Sequence, residues 1–228
     1  MTEIGGLYVI IDPAACRGRD AVEVARLALE GGASLLQWRD KSRDKGLQLP
    51  DTQAILRLCA LLDVPLIIND HADLALVLWS ARRVPGAGNA GGVRASLLGV
   101  HVGQRDLPVA DVRTILPAGF ILGASTNNTE EARRAEAGGA DYIAVGDLFG
   151  TGSKEGTRSA SPQRLAEVKQ AVSKPVFGIG GINAANVREV MEAGADGVAV
   201  ISAVCAADDP RTAAAELTVL VKAYRRSI

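Results

Sequence analysis

Glu192-Ala193-Gly194-Ala195-Asp196, followed at once by the apolar run 197–201, is the stretch that decides the fold. The same glycine-containing pattern occurs as Glu30-Gly31-Gly32-Ala33-Ser34 and as Ala137-Gly138-Gly139-Ala140-Asp141. In each case it stands between a helical pattern and an apolar run. Glycine commonly ends a helix because it adopts backbone angles that other residues avoid. The repeat therefore predicts helices that end in a glycine and lead directly into a strand.

Outward from these points, the whole chain alternates between short apolar runs and longer helical patterns. The runs are continuous rather than alternating, which indicates a parallel sheet covered by helices. The predicted strands are 7–11, 34–39, 65–69, 98–102, 120–125, 142–146, 175–179 and 197–201. The helical patterns lie near 20–31, 50–62, 72–82, 109–116, 128–138, 161–173, 184–194 and 209–226.

Eight strand–helix pairs in 228 residues predict an α/β protein with a single-domain (β/α)8 TIM barrel spanning 1–228. A doubly wound open sheet is the structural alternative, but no GxGxxG motif follows the first strand to support it. One stretch, 80–96, is rich in Gly and Pro and interrupts the alternation of strand and helix patterns. Because it follows a helix and precedes a strand, we expect a loop insertion on the face away from the chemistry, either without a role or as a subunit contact.

Composition excludes several functional classes. Twenty-six acidic against 25 basic residues leave a net charge of −1, so we expect no nucleic-acid partner held by bulk electrostatics. No apolar run reaches the length of about 18 residues that a membrane span needs. The start of the chain has no basic segment before its apolar run, so we expect no signal peptide. Three cysteines without CxxC spacing predict neither disulfides nor a zinc site, and favour a cytoplasmic protein.

Polar residues at the carboxyl ends of barrel strands point into the active site of this fold. Strand 34–39 ends with Gln37, Arg39 and Lys41 at alternate positions, so an amide and two cations share one side. This arrangement predicts an anion-binding site. The alternative is that the two cations are solvated and pair with neighbouring aspartates.

Two carboxylates follow the next two strands. Asn69-Asp70 ends one, and Asp106 follows the other. Facing a basic cluster, they predict an open site for Mg²⁺, which is bound by one or two carboxylates together with substrate phosphates. Asp70 has the alternative role of a helix N-cap. His71 and His101 lack the spacing of a metal-binding pair and are interpreted as structural.

The later strands add a hydroxyl, a loop lysine and a second anion site. Ser125 ends the fifth strand, and a glycine-rich loop after the sixth carries Thr151, Ser153 and Lys154. We expect this loop to close on a substrate, exclude water and bring its lysine to a phosphate, unless it is only solvated surface. Gly180-Gly181 follows the seventh strand and Ile201-Ser202 ends the eighth, where many barrels bind a phosphate monoester.

Two anion regions, one with a metal, suit an enzyme that joins a diphosphate to a phosphorylated small molecule. The residues that carry this interpretation also resemble the thiamine-phosphate synthase family over essentially the whole chain. The matching motifs, in order, are Gln37-x-Arg39-x-Lys41, Asn69-Asp70, His101-Val102-Gly103-Gln104-x-Asp106, Gly123-Ala124-Ser125, Thr151-x-Ser153-Lys154, Gly178-Ile179-Gly180-Gly181-Ile182 and Val200-Ile201-Ser202.

The resemblance implies a transferase of thiamine biosynthesis. It condenses hydroxymethylpyrimidine diphosphate with hydroxyethylthiazole phosphate, or its carboxylated form, and releases diphosphate. The residues implied to hold the pyrimidine diphosphate are Gln37, Arg39, Lys41, Asn69, Ser125 and Lys154, of which Arg39, Ser125 and Lys154 are catalytic. Asp70 and Asp106 are implied to bind Mg²⁺. Thr151 and Ser153 are implied to face the thiazole, and Gly181, Ile201 and Ser202 to bind its phosphate.

This sequence departs from the family pattern at two places. Asp147 stands where family members usually have Pro, and the 80–96 insertion lengthens the spacing between Asp70 and Asp106. A related thiazole tautomerase, with the same barrel, and a non-catalytic phosphate-binding regulator are the alternatives. The intact Gln37-x-Arg39-x-Lys41 motif and Asp106 favour the synthase. The sequence leaves the oligomeric state open.

Overall fold

The chain folds into a closed barrel of parallel strands. The structure, a computed structural model, describes residues 4–81, 94, 97–150 and 159–225. Within these ranges eight strands pair in chain order, and β1 pairs with both β2 and β8. The strands are β1 (Gly6–Ile11), β2 (Leu35–Trp38), β3 (Leu66–Asn69), β4 (Leu98–Val102), β5 (Ile121–Thr126), β6 (Tyr142–Val145), β7 (Val176–Ile179) and β8 (Gly197–Val200). This closure confirms the predicted TIM barrel and excludes the open doubly wound sheet.

Helices surround the barrel and alternate with its strands. Those in the described ranges are α1 (Ala21–Glu30), α2 (Lys45–Leu62), α3 (Ala72–Ala81), α4 (Val109–Ile115), α5 (Thr129–Ala137), α6 (Pro162–Ala171), α7 (Val187–Glu192), α8 (Ser202–Cys205) and α9 (Pro210–Arg225). A short 3-10 helix, Pro13–Ala15, follows β1. No helix in the part of the chain that the structure describes is long and apolar enough to cross a membrane.

The repeated glycine-containing pattern forms the same turn at all three places in the chain. Gly32, Gly139 and Gly194 all adopt positive φ, at 91°, 94° and 92°. In each repeat the following alanine donates its backbone N–H to the carbonyl of the residue five positions earlier, as in a Schellman cap. The next side chain then binds a neighbouring strand; for example, Asp141 accepts the N–H of Leu122 at 2.8 Å. The three repeats therefore set where β2, β6 and β8 begin.

Two apolar layers hold the barrel together. The larger lies between the strands and the helices, and a smaller cluster fills the barrel interior. In the interior, Tyr8, Tyr142 and Phe177 pack edge to face with ring centroids 5.5–5.8 Å apart. Glycine opposite the rings makes room for them, since a Cβ at Gly123 would lie 2.0 Å from the Tyr142 ring. The interior is thus a packed floor beneath the carboxyl ends of the strands.

Two helices differ from the sequence prediction. The second was expected to begin at Pro50, but α2 begins at Lys45 and contains that proline. Pro50 has no N–H to donate to the Gly46 carbonyl four residues earlier. Gly46 is exposed, so water can bind to that carbonyl instead. The short helix α8, directly after β8, was not predicted because four residues give no periodic pattern.

Residues of the predicted insertion lie mostly outside the described ranges, so its loop character and any contact role stay predictions. The three cysteines are buried with free thiols. Although Cys16 and Cys205 are far apart in the sequence, the fold brings their side chains into contact. Sequence spacing could not show this proximity, because it depends on the β1–β8 closure of the barrel.

Candidate active site

The predicted anion-binding residues of β2 lie at the carboxyl end of the barrel, as their alternation suggested. Gln37 is 1% exposed and directs its side chain into the barrel interior, where its Nε2 donates to the Tyr8 hydroxyl. Arg39 is also buried, whereas Lys41 is exposed. The amide therefore belongs to the floor of the site and the lysine to its rim.

Arg39 pairs with a carboxylate that the sequence analysis missed. Its guanidinium Nη1 donates to Asp12 Oδ2, and both side chains are about nine-tenths buried. Asp12 also accepts the N–H of Ala14 at 3.1 Å with its other oxygen. The solvated-charge alternative is wrong for this arginine. Asp12 directly follows β1, so the signal that identified Asp70 and Asp106 could have found it.

The two predicted metal-binding carboxylates come together. Lys41 Nζ lies 3.5 Å from Asp70 Oδ2. Burial raises the pKa of the Asp70 carboxyl, and the adjacent Asp106 carboxylate raises it further, against the opposing effect of Lys41. Asp106 also accepts the backbone N–H of Gly103 at 2.7 Å. Two acidic groups are thus held side by side at the ends of β3 and β4.

These carboxylates offer hard oxygen donors, the type that Mg²⁺ prefers. The described residues contain no group of three or more His, Cys, Asp or Glu that could hold a metal by themselves. Asp70 and Asp106 therefore fit an open site, in which substrate oxygens or water complete the coordination. A closed structural zinc site does not match this donor set.

Asn69 and Ser125 complete the described part of this region. Asn69 is 8% exposed and is the register partner of His101 on β4. The Ser125 hydroxyl is 2.8 Å from His101 Nε2. The Gln104 amide donates to the Ser125 carbonyl at 2.7 Å, which ties the loop after β4 to β5.

A second region lies at the ends of β7 and β8. Gly180 and Gly181 adopt positive φ, at 104° and 63°, and a Cβ on Gly181 would meet the Gly150 carbonyl oxygen at 2.5 Å. The Asn186 amide donates to the Gly181 carbonyl at 2.9 Å and holds the turn. Ile201 and Ser202 begin the short helix α8. Glycine backbone and a helix start therefore occur together where a phosphate was predicted.

The departure at Asp147 is packed into this second region. The residue is buried, and its Oδ1 lies so close to Gly180 that a Cβ there would be 1.9 Å away. The peptide bond between Gly146 and Asp147 is cis. Thr151, Ser153 and Lys154, which the sequence analysis placed on the following loop, lie outside the described residues.

Residues that the sequence analysis missed or left as structural join the two sides of the site. Tyr8 and Tyr142 lie on β1 and β6, and their hydroxyls are 2.9 Å apart. The Tyr142 hydroxyl is also 3.0 Å from His101 Nδ1. Polar side-chain atoms within buried strands were the available signal, but their contacts form only across the closed barrel.

An eight-stranded parallel barrel with a buried arginine, an exposed lysine and paired carboxylates at the carboxyl ends of its strands defines the class of barrel enzymes that act on anionic small molecules. The profile of the thiamine monophosphate synthase family matches residues 7–204. The chain belongs to this family, and it is accordingly a transferase of thiamine biosynthesis.

Individual relatives agree with the family assignment. The thiamine-phosphate synthase of Methanocella arvoryzae is 42% identical over 225 residues, which cover 97% of each chain. That of Desulfitobacterium hafniense strain Y51 is 44% identical over 209 residues, covering 91% of this chain and 93% of the relative. The solved thiamine phosphate pyrophosphorylase from Pyrococcus furiosus superposes with a TM-score of 0.81 at 35% identity and covers 96% of both chains. A 3-hexulose-6-phosphate synthase from Salmonella typhimurium, 17% identical with a TM-score of 0.66, covers 96% of this chain and 99% of its own and shares the fold alone.

Proposed function

We propose that this enzyme joins hydroxymethylpyrimidine diphosphate to hydroxyethylthiazole phosphate, or to its carboxylated form, and releases thiamine phosphate and diphosphate. With the carboxylated form, the carboxyl group leaves as carbon dioxide and a proton from water takes its place. The observation that carries the proposal is the convergence of Lys41, Asp70 and Asp106 at one edge of the barrel mouth. A cation beside two carboxylates suits a diphosphate and a divalent metal together. The glycine turn at Gly181 provides a separate place for a phosphate monoester.

In this proposal the diphosphate lies along β2 and β3, and the pyrimidine ring lies over the barrel floor. Arg39 and Lys41 provide positive charge for the diphosphate, and Lys154 adds a third cation from its loop. Gln37, Asn69 and Ser125 hold the ring. Arg39 is held by Asp12, so it is already oriented before a ligand binds. Such fixed charges stabilise a leaving group without the free-energy cost of reorganisation.

Asp70 and Asp106 are the residues that would hold Mg²⁺. The fit rests on their chemistry: two hard carboxylates are held adjacent, and the pKa of Asp70 is raised by burial and by its neighbour. When bound, Mg²⁺ supplies charge neutralisation for the diphosphate oxygens. Lys41 already neutralises part of the carboxylate charge in the structure.

Gly181, Ile201 and Ser202 are the residues we assign to the thiazole phosphate, with Thr151 and Ser153 facing the ring. The reaction is a dissociative substitution. The bond from the pyrimidine methylene to the diphosphate oxygen breaks, the diphosphate leaves with the electron pair, and the aminopyrimidine ring stabilises the methylene cation. The thiazole nitrogen lone pair then forms the new C–N bond. The chain's residues bind, orient and exclude water; no general base is needed.

Product detection tests the proposal. The purified protein is incubated with both substrates, with Mg²⁺ or with EDTA, and thiamine phosphate is measured by thiochrome fluorescence after oxidation. We expect signal with Mg²⁺ and none with EDTA. Absence of product with Mg²⁺, while thiazole phosphate still binds, would favour the regulator. Isomerisation of a thiazole phosphate without condensation would favour the tautomerase.

Asp106→Ala tests the carboxylate pair. We expect turnover to fall by about 100-fold or more, since a metal supplies several kcal/mol of charge stabilisation. Stability should change by less than about 2 kcal/mol, because the lost hydrogen bond from the Gly103 N–H is exposed and because Asp70 loses a like-charged neighbour. Asp111→Ala is the matched control, an exposed aspartate in the first turn of α4. Equal activity of the two variants would contradict the metal assignment.

A further inference from the structure

A row of hydrogen bonds crosses the barrel interior beneath the proposed site and links β2 to β5. The Gln37 amide nitrogen donates to the Tyr8 hydroxyl, and the Tyr8 and Tyr142 hydroxyls are 2.9 Å apart. The Tyr142 hydroxyl lies 3.0 Å from His101 Nδ1, and His101 Nε2 lies 2.8 Å from the Ser125 hydroxyl. Five side chains from five strands thus form one continuous row.

The row lies in a dry environment, so each hydroxyl keeps its proton. Tyr8 is 1% exposed and Tyr142 is completely buried. Burial raises the pKa of both phenols well above the ordinary value. A neutral hydroxyl donates one hydrogen bond, so every bond in the row constrains the direction of the next.

Counting protons along the row gives it a single direction. Either tyrosine hydroxyl could donate to the other, because a hydroxyl oxygen accepts up to two hydrogen bonds. Tyr8 accepts from Gln37, and every buried proton in the row has an acceptor within it only if Tyr8 donates to Tyr142 and Tyr142 donates to His101 Nδ1. An imidazole that accepts at Nδ1 carries its hydrogen on Nε2 and donates it to Ser125. Ser125 therefore keeps its own proton for an acceptor outside the row.

The other end of the row, at Gln37, offers a hydrogen-bond acceptor. Gln37 Oε1 is buried and has no hydrogen-bond partner among the described residues. A buried acceptor without a partner is costly, which points to a donor that arrives with the ligand. One end of the row thus accepts and the other donates.

We propose that Tyr8, Tyr142 and His101 are positioning residues, which hold Gln37 as an acceptor and Ser125 as a donor for the amino group and a ring nitrogen of an aminopyrimidine. The inference rests on the proposed function, because it assumes that the ring lies between these two ends. An oxo-pyrimidine presents the reversed pattern, with an acceptor in place of the amine and a ring N–H. The row therefore selects the amino ring against the oxo ring.

Equilibrium binding tests the selection without requiring turnover. Dissociation constants are measured for 4-amino- and 4-oxo-pyrimidine diphosphates with Mg²⁺ and no thiazole. The wild type should prefer the amino form by about 100-fold, since reversed partners leave buried polar groups unpaired. Tyr142→Phe keeps the ring but breaks the row, and the preference should fall by about tenfold. An unchanged preference in this variant, or none in the wild type, would overturn the inference.

Two further variants separate positioning from packing. Phe177→Leu disturbs the same ring cluster but contributes no hydroxyl to the row, so it should lower thermal stability and leave the preference intact. His101→Gln can still accept and donate through its amide and should retain more of the preference than His101→Leu. Equal loss in Phe177→Leu and Tyr142→Phe would show that Tyr142 acts only by packing. Wild-type condensation, assayed separately, reports on the proposed function itself.

Discussion

Gly123→Ala places one methyl group against the centre of the barrel floor. Gly123 lies on β5 beside Tyr142 of β6, its register partner. A Cβ there would lie 2.0 Å from Tyr142 Cζ and 2.3 Å from its hydroxyl oxygen. Ordinary carbon contacts are about 3.5–4.0 Å, so the ring has to move by more than 1 Å. Tyr8 and Phe177 pack against that ring and limit where it can go.

Two effects add to the destabilisation. Overpacking of a rigid core costs about 1–3 kcal/mol. A displaced Tyr142 also weakens its hydrogen bonds to Tyr8 and His101, each of which contributes about 0.5–1.5 kcal/mol. We therefore expect Gly123→Ala to lower the free energy of unfolding by about 2–6 kcal/mol.

Urea denaturation of wild type and variant measures this loss. Gly46→Ala is the matched control, because a Cβ at that exposed helical position meets nothing within 4 Å. The control should be neutral or more stable by up to about 1 kcal/mol. In Gly123→Ala/Tyr142→Leu the shorter side chain removes the clash, so the two changes should be less than additive. A Gly123→Ala protein as stable as the wild type would refute the packing analysis.

The remaining predictions concern buried charge. Asp12→Ala leaves Arg39 buried without its counter-charge, and we expect a loss of about 3–5 kcal/mol in the free energy of unfolding; a loss below 1 kcal/mol would contradict the pairing. Burial raises the pKa of the Asp40 carboxyl, but hydrogen bonds from the residues that follow outweigh it and hold the pKa below its ordinary value. The wild type should therefore have a higher free energy of unfolding than Asp40→Asn, by a constant amount above about pH 4. This excess should disappear as the pH falls through the pKa of Asp40 in the folded protein. Urea titrations at several pH values measure it, and a difference that grows on acidification would show the sign to be wrong.

Much of the site was predictable because each signal was local. Gln37 and Arg39 stand out as polar residues at alternate positions at the end of an apolar strand, and Asp70 and Asp106 as acids just past two others. The barrel rule places all strand ends on one face, so their proximity followed from the fold class. Asp12 had the same signal after β1 and was missed. The roles of these residues stay proposals.

The sequence by itself determined the strands, most of the helices and the closed barrel, because glycine caps and continuous apolar runs act over a few residues. Only the tertiary structure decided which polar groups pair. Arg39 binds Asp12 rather than a neighbouring charge, and Gln37 reaches Ser125 through Tyr8, Tyr142 and His101. These contacts join strands that are distant in the chain, and their hydrogen bonds become strong only when closure of the barrel removes water. No pattern along one strand contains that information.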